Sequence, residues 1–175
     1  ARVPAPAVVL LPGWGWPSRD APVPQPCPVG SWRGGGSAGR VPCFRCASGL
    51  TTAGTGSTER AACRAGPGYY LGDQAGARTC PAGTYQPGLT TDEQAVACLP
   101  CPAAGFTTDG AGATSAAACN VLLAGWGLAS PGVAAQCSLG RYSAGGVGAT
   151  CAPCPWGLTT REVGSTDEAQ ARRPA

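Results

Sequence analysis

Eleven cysteines in a 175-residue chain fall into one pattern: a Cys, then CxxC, then a closing Cys. Cys27, Cys43, Cys46 and Cys63 make the first copy and Cys80, Cys98, Cys101 and Cys119 the second, while Cys137, Cys151 and Cys154 begin a third. The opening Cys of each is followed by Gly and then an aromatic residue at fixed offsets: Gly30 and Trp32, Gly83 and Tyr85, Gly140 and Tyr142. After each CxxC comes a Gly-apolar-Thr-Thr run, at Gly49–Thr52, Gly105–Thr108 and Gly157–Thr160. A further Gly turn follows at Gly56, Gly112 and Gly164. Seven residues on from the first two stand Cys63 and Cys119; the same step from Gly164 lands on Ala171.

The connectors repeat too, and they fix the unit better than the cysteines alone. Val9-Leu10-Leu11-Pro12-Gly13-Trp14-Gly15-Trp16 matches Val121-Leu122-Leu123-Ala124-Gly125-Trp126-Gly127-Leu128, and Arg64-Ala65-Gly66-Pro67-Gly68-Tyr69-Tyr70-Leu71 holds the corresponding place between them. The Pro-rich leader is therefore a connector, with Ala7 where a preceding closing Cys would stand. Three units follow: 1–63, 64–119 and 120–175, the repeating portion beginning at 8 and ending at 171. A period of roughly 50 residues calls for a tandem array before any single globule.

Composition says what must hold such an array together. Ile, Met and Lys are absent, there are only two Phe, and 28 Gly with 18 Pro approach the range of disordered chains. Disulfides supply the missing constraint, each closed loop of about 15 residues contributing about 3 kcal/mol in the chain-entropy account. Small secreted modules rely on the same device. Spacing alone does not give connectivity, since four cysteines allow three pairings. Bonding the two members of a CxxC to each other closes a tight ring and leaves a long outer loop, whereas sequential pairing closes two loops of similar size. The favoured scheme is Cys27 with Cys43, Cys46 with Cys63, Cys80 with Cys98, Cys101 with Cys119, and Cys137 with Cys151. Cys154 is left over: a free thiol, a bond to another chain, or half of a bridge whose partner lies beyond this sequence.

The stretch CPAGTYQPGLTTDEQAVACLPCPAAGFTTDGAGATSAAAC, residues 80–119, resembles the ephrin type-A/B receptor-like cysteine-rich repeat, a relative of the modules of tumour necrosis factor receptors. The likeness extends over nearly the whole chain, complete in two units and lacking the closing Cys in the third. It implies extracellular, disulfide-linked modules of short β-hairpins with no catalytic residue. The expected fold class is a small disulfide-rich, mostly β or irregular chain, an elongated tandem array of short β-hairpin modules with little helix.

Local patterns agree. Short β-forming runs around Tyr85, Thr107 and Thr159 are punctuated by Gly and Pro, and no apolar period of 3.6 residues is sustained. Gly30, Gly83 and Gly140 read as turn positions that need positive φ or a close backbone approach. The aromatic two residues later is expected to cover the neighbouring disulfide, and the Thr-Thr pairs to face partners across a hairpin.

Other uses of these cysteines fit less well. A zinc ribbon wants paired CxxC motifs, whereas each copy has one CxxC between single cysteines, and His is absent. A thioredoxin-like site at Cys151–Cys154 would need a βαβ setting. Without His, Ser-His or Cys-His catalysis is excluded in its common forms, so the chain reads as a non-enzyme with no cofactor and no metal. Asp92–Glu93 and Asp167–Glu168 read as solvated turn residues. The net charge of +3 is carried by scattered Arg, which is not the basic stripe of a nucleic-acid binder.

Dense cysteine use points to an oxidising, extracellular or cell-surface setting. No apolar run reaches membrane-spanning length, and the chain reads as a mature or partial piece of a longer secreted or surface protein. Prolines in Ala21-Pro22-Val23-Pro24-Gln25-Pro26 favour polyproline II and are candidates for O-glycans. The leading expectation is an extracellular structural protein that self-assembles or joins a larger assembly through protein partners. Heavy Ala, Gly, Pro and Arg use suggests a GC-rich genome, and together with this repeat type it points to an algal flagellar-surface filament of the mastigoneme kind. The competing expectation is a ligand-binding ectodomain fragment of a receptor, for which Trp14, Trp16 and Trp156 are contact candidates unless they pack inward.

Overall fold

The computed structural model describes residues 9–18, 20–36, 39–72, 76–90 and 97–173. Ala7 and the pair Asp92–Glu93 lie outside them. Among the described residues there is no α-helix. Regular structure consists of seven two-stranded sheets and one three-stranded sheet, with all named strand pairs antiparallel, and three short 3-10 turns. The fold is thus a set of small disulfide-linked hairpin sheets.

Each cysteine copy begins with the same hairpin. The residues around the aromatic pair with those after the second Cys: Ser31–Trp32 with Phe44–Arg45, Thr84–Tyr85 with Leu99–Pro100, and Arg141–Tyr142 with Ala152–Pro153. A second ladder follows the CxxC, Leu50–Thr51 against Arg64–Ala65 and Phe106–Thr107 against Val121–Leu122. In the third copy this ladder shrinks to a single bridge, Thr159 with Arg172. Connector hairpins precede the copies, pairing Trp14–Gly15 with Gln25–Pro26, Tyr69–Leu71 with Ala77–Thr79, and Trp126–Ser130 with Val133–Gln136. Gln25–Pro26 therefore closes a hairpin, and only the earlier part of the Pro-rich segment is outside a ladder. Strands this short are marginal alone, so their order must come from covalent and polar ties.

The buried residues bear this out. The opening cysteines Cys27, Cys80 and Cys137 are 0% exposed, and around them the interior is more polar than oily, with Thr52, Thr90, Thr108, Thr160, Ser31, Arg33, Gln86 and Ser143 buried beside Leu10, Ala65 and Leu122.

The chain divides into two compact units, one of Ala1–Thr79 with Gly88–Ala97, the other of Cys80–Pro87 with Cys98–Ala175. Within the first, buried Thr90 donates its backbone N–H to Ala65 O at 3.1 Å, tying residue 90 to the strand Arg64–Ala65. Within the second, Val121–Leu122 pairs with both Phe106–Thr107 and Gly146–Val147, giving the one three-stranded sheet.

Candidate functional site

Five disulfides join Cys27 to Cys43, Cys46 to Cys63, Cys80 to Cys98, Cys101 to Cys119 and Cys137 to Cys151. Cys154 is a free, half-buried thiol. Its backbone is nevertheless held like that of its bonded counterparts. Cys46, Cys101 and Cys154 donate their N–H groups to Gly30, Gly83 and Gly140 O at 2.8, 2.9 and 2.8 Å.

The closing position is equally regular. The 3-10 turns Arg60–Ala62, Ala116–Ala118 and Glu168–Gln170 each end at it. Cys63, Cys119 and Ala171 then donate N–H to Arg60, Ala116 and Glu168 O at 3.0, 3.1 and 2.9 Å. Ala171 thus occupies the place where the other copies carry a half-cystine.

The Gly and the Thr-Thr of each copy meet through one repeated bond. Gly30, Gly83 and Gly140 take φ of 80°, 81° and 76°, the left-handed region that an L side chain enters only at a cost. Each donates its N–H to the second Thr hydroxyl of the downstream pair, Thr52, Thr108 and Thr160, at 3.0 Å in all three. These threonines are buried, and Thr52 and Thr108 pass the hydroxyl hydrogen on to Gly54 and Gly110 O. The cross-hairpin role expected of the pair belongs to its first member, since Thr51 faces Arg64, Thr107 faces Val121 and Thr159 bridges Arg172. The second Thr is a buried clamp, its hydroxyl taking the N–H of a half-buried turn Gly.

The aromatics diverge where the framework does not. Trp32 stacks on Phe44 with ring centres 5.2 Å apart, and it lines an open groove of about 850 Å3 together with Phe44, Leu50, Leu71, Arg45 and Arg60. The groove wall includes Cys46 and Cys63, so Trp32 lies by the second bridge of its copy. Beneath Phe44 the guanidinium of Arg33, 1% exposed, sits 5.7 Å from the ring centre and donates through Nη1 to Pro42 O at 2.6 Å, while its Nε has no partner. Tyr85 lies opposite Leu99. Tyr142 lies opposite Ala152 and donates its hydroxyl to Glu168 Oε2 at 3.4 Å. Burial first, then the Glu168 carboxylate and the nearby Cys154, raise the Tyr142 phenol above its ordinary value.

Residues 68–119 match the family model described as tyrosine-protein kinase ephrin type A/B receptor-like. That segment is an ephrin-receptor-like cysteine-rich module. The match covers the second copy with most of its connector. No curated protein matches the chain. An ephrin-receptor-like module built on disulfides is an extracellular, non-catalytic kind of domain. Among the described residues no three His, Cys, Asp or Glu side chains gather as a metal site, and no helix is long and apolar enough to cross a membrane. Of the exposed-aromatic candidates, Trp16 is buried with Arg40 stacked on it at 4.5 Å, and Trp14 is exposed at 38%. Trp156, by contrast, is 104% exposed. Reasoning from the sequence missed Arg33 and the Arg45–Arg60 pair of the groove. Their signal was available in the positions where the first copy departs from the other two.

Proposed function

We propose that this chain is a non-enzymatic component of an extracellular structural assembly, its three units 1–63, 64–119 and 120–175 acting as spacers. The observation that supports this most is where the repeated polar groups point. In every copy the Gly N–H bonds to the second Thr hydroxyl, and the amide of the last CxxC cysteine to the Gly carbonyl, inside the module. What repeats is scaffold, with no catalytic residue, cofactor or metal assigned to it. The partners are proteins, either further copies of this chain or other members of the assembly. Nucleic acid and a membrane span have no part in the reading.

Cys154 is the candidate covalent link. In an oxidising exterior its thiolate displaces one thiolate from a low-molecular-weight disulfide; a partner-chain thiolate then displaces the second, leaving one protein–protein disulfide and two small thiols. The most specific form of the reading is a flagellar-surface filament of the mastigoneme kind, supported by the repeat type and the GC-rich residue usage. Pro22 and Pro24, outside any ladder, are the candidate O-glycan sites; a peptide of unmodified mass over 21–26 removes that element.

Imaging of the native assembly by electron microscopy, with peptide mapping without reductant, tests the whole. A periodic polymer with Cys154 bridged is expected; a discrete monomer with Cys154 alkylated as a free thiol overturns the reading. The exposed Trp156 favours one competitor, a ligand-binding ectodomain fragment, which the same images would reveal as a non-periodic particle.

A further inference from the structure

The three copies share a scaffold, so their differences mark what the scaffold does not require. On the face carrying the aromatic and the CxxC, the first copy places Phe44 and Arg45 where the second has Leu99 and Pro100 and the third has Ala152 and Pro153. Arg60, the first residue of its 3-10 turn, corresponds to Ala116 and Glu168. Ser48, Ala104 and Trp156 each precede the Gly that follows the CxxC. The second copy shows that Leu, Pro and Ala suffice to build the module. The first copy instead carries an apolar groove with two arginines and no carboxylate in its wall. The third carries a fully exposed indole two residues after its last cysteine and, where the first copy has the groove residue Arg60, a carboxylate, Glu168, held near Cys154 through Tyr142.

We propose that these two faces are complementary, and that Trp156 of one chain docks into the Trp32–Phe44 groove of a second copy with Glu168 against Arg60 or Arg45. This rests on the assembly reading above and names its contact. The indole meets aromatic and aliphatic surface, the preferred anchor of interface hot spots. The carboxylate meets guanidinium groups, which fix the orientation of the encounter. Because knob and groove lie on different copies of the repeat, the contact is heterologous. A chain docked through one of the two sites still has the other to offer, so association can extend beyond a pair.

Sedimentation velocity over a concentration series tests this on the full oxidised chain carrying Cys154→Ser, which removes covalent linkage. The parent is expected to associate with rising concentration, its tryptophan emission shifting to shorter wavelength as Trp156 leaves water. Trp156→Ala should weaken association about thirtyfold or more. Arg60→Glu and Glu168→Arg should each weaken it alone, and an equimolar mixture of those two variants should associate again, since each supplies the charge the other needs. Recovery in the mixture also shows that both variants are folded. If Trp156→Ala associates like the parent, or the mixture stays monomeric, the docking is wrong while the assembly reading stands. A parent that is monomeric at every concentration overturns the docking; the assembly reading falls as well only if the chain with Cys154 intact is also monomeric, its thiol free. An emission shift independent of concentration would mean the chain covers its own groove, and that too overturns docking between copies.

Discussion

The second and third copies differ by one disulfide, yet their backbones agree at both ends of the missing bond. Cys101 is bonded to Cys119, whereas Cys154 has Ala171 in the corresponding place. The amides of Cys101 and Cys154 nonetheless reach Gly83 and Gly140 at 2.9 and 2.8 Å, and those of Cys119 and Ala171 reach the start of a 3-10 turn at 3.1 and 2.9 Å. The bond therefore does not shape the module. Local hydrogen bonds and positive-φ glycines do that, and the disulfide removes freedom from the unfolded chain. The ladder alongside is also shorter in the third copy, a lone Thr159–Arg172 bridge against the two residue pairs of Phe106–Thr107 with Val121–Leu122.

The largest effect should come from striking the shared shape where one bridge is missing. Gly125 has φ 81°, and a Cβ there would overlap the carbonyl of Gly164. Gly13 stands in the same relation to Gly56 in the first copy. Since the obstacle is backbone, Gly125→Ala should cost about 4 kcal/mol or more, combining left-handed strain with overpacking. Hydrogen exchange should then show the Gly164 amide, bonded to Cys137 O, losing its protection. In Gly13→Ala the Gly56 amide, bonded to Cys27 O, should keep more of its own, because two bridges still close that copy. Equal loss in both variants would mean that the second bridge adds nothing to the module's resistance.

Restoring the bond asks the converse question. Ala171→Cys places a thiol 17 residues from Cys154, the same separation as Cys46 and Cys63, and it should close a sixth disulfide that stabilises the third copy by about 3 kcal/mol. Cys101→Ser with Cys119→Ala should remove a similar amount from the second copy and leave the turn Ala116–Ala118 in place. Peptide mapping and thermal unfolding measure both. A free thiol at 154 in Ala171→Cys would contradict the equivalence of the closing positions.

Smaller effects are expected at the Thr clamp. Thr160→Val keeps the side-chain shape but leaves the Gly140 N–H without its acceptor, at a cost of about 1–3 kcal/mol for an unsatisfied buried donor. Thr52→Val should cost the same in free energy, yet open its copy less often, since Cys46–Cys63 still spans it. Exchange of the Gly140 and Gly30 amides reads the two directly.

Features that occur three times were legible in the sequence, because repetition separates a requirement from an accident. The cysteine spacing, the turn glycines and the hairpins are of this kind, and the vacancy at Ala171 stands out against them. The second Thr was visible as a repeated residue, but its role was not, since a pair of threonines does not say which one turns inward until the Gly N–H that needs it is placed. Singular residues had no pattern to carry them. Arg33 looks like any scattered arginine until it is found beneath Phe44, and Trp156 looks like core until nothing is found to cover it. The compact units were hidden for a related reason: contacts such as Thr90 N–H to Ala65 O run outside the cysteine pattern.

The smallest effect probes the same comparison through a proton. At the start of its turn the third copy has Glu168, against which Tyr142 donates its hydroxyl; the second copy has Ala116 there and no such pair. Burial of the phenol, with the Glu168 carboxylate as the next cause, raises Tyr142 above its ordinary value of 10.0. The folded module then holds this proton more tightly than the unfolded chain does. Below that ordinary value both states are protonated and the contribution is fully present; above it the unfolded chain ionises first, and the contribution is lost as pH rises through the folded value. Glu168→Gln removes the second cause and keeps the first, so phenolate absorbance should show Tyr142 titrating earlier than in the parent but still above its ordinary value. A titration that does not move in Glu168→Gln would leave burial as the whole cause and reduce the 3.4 Å contact to proximity.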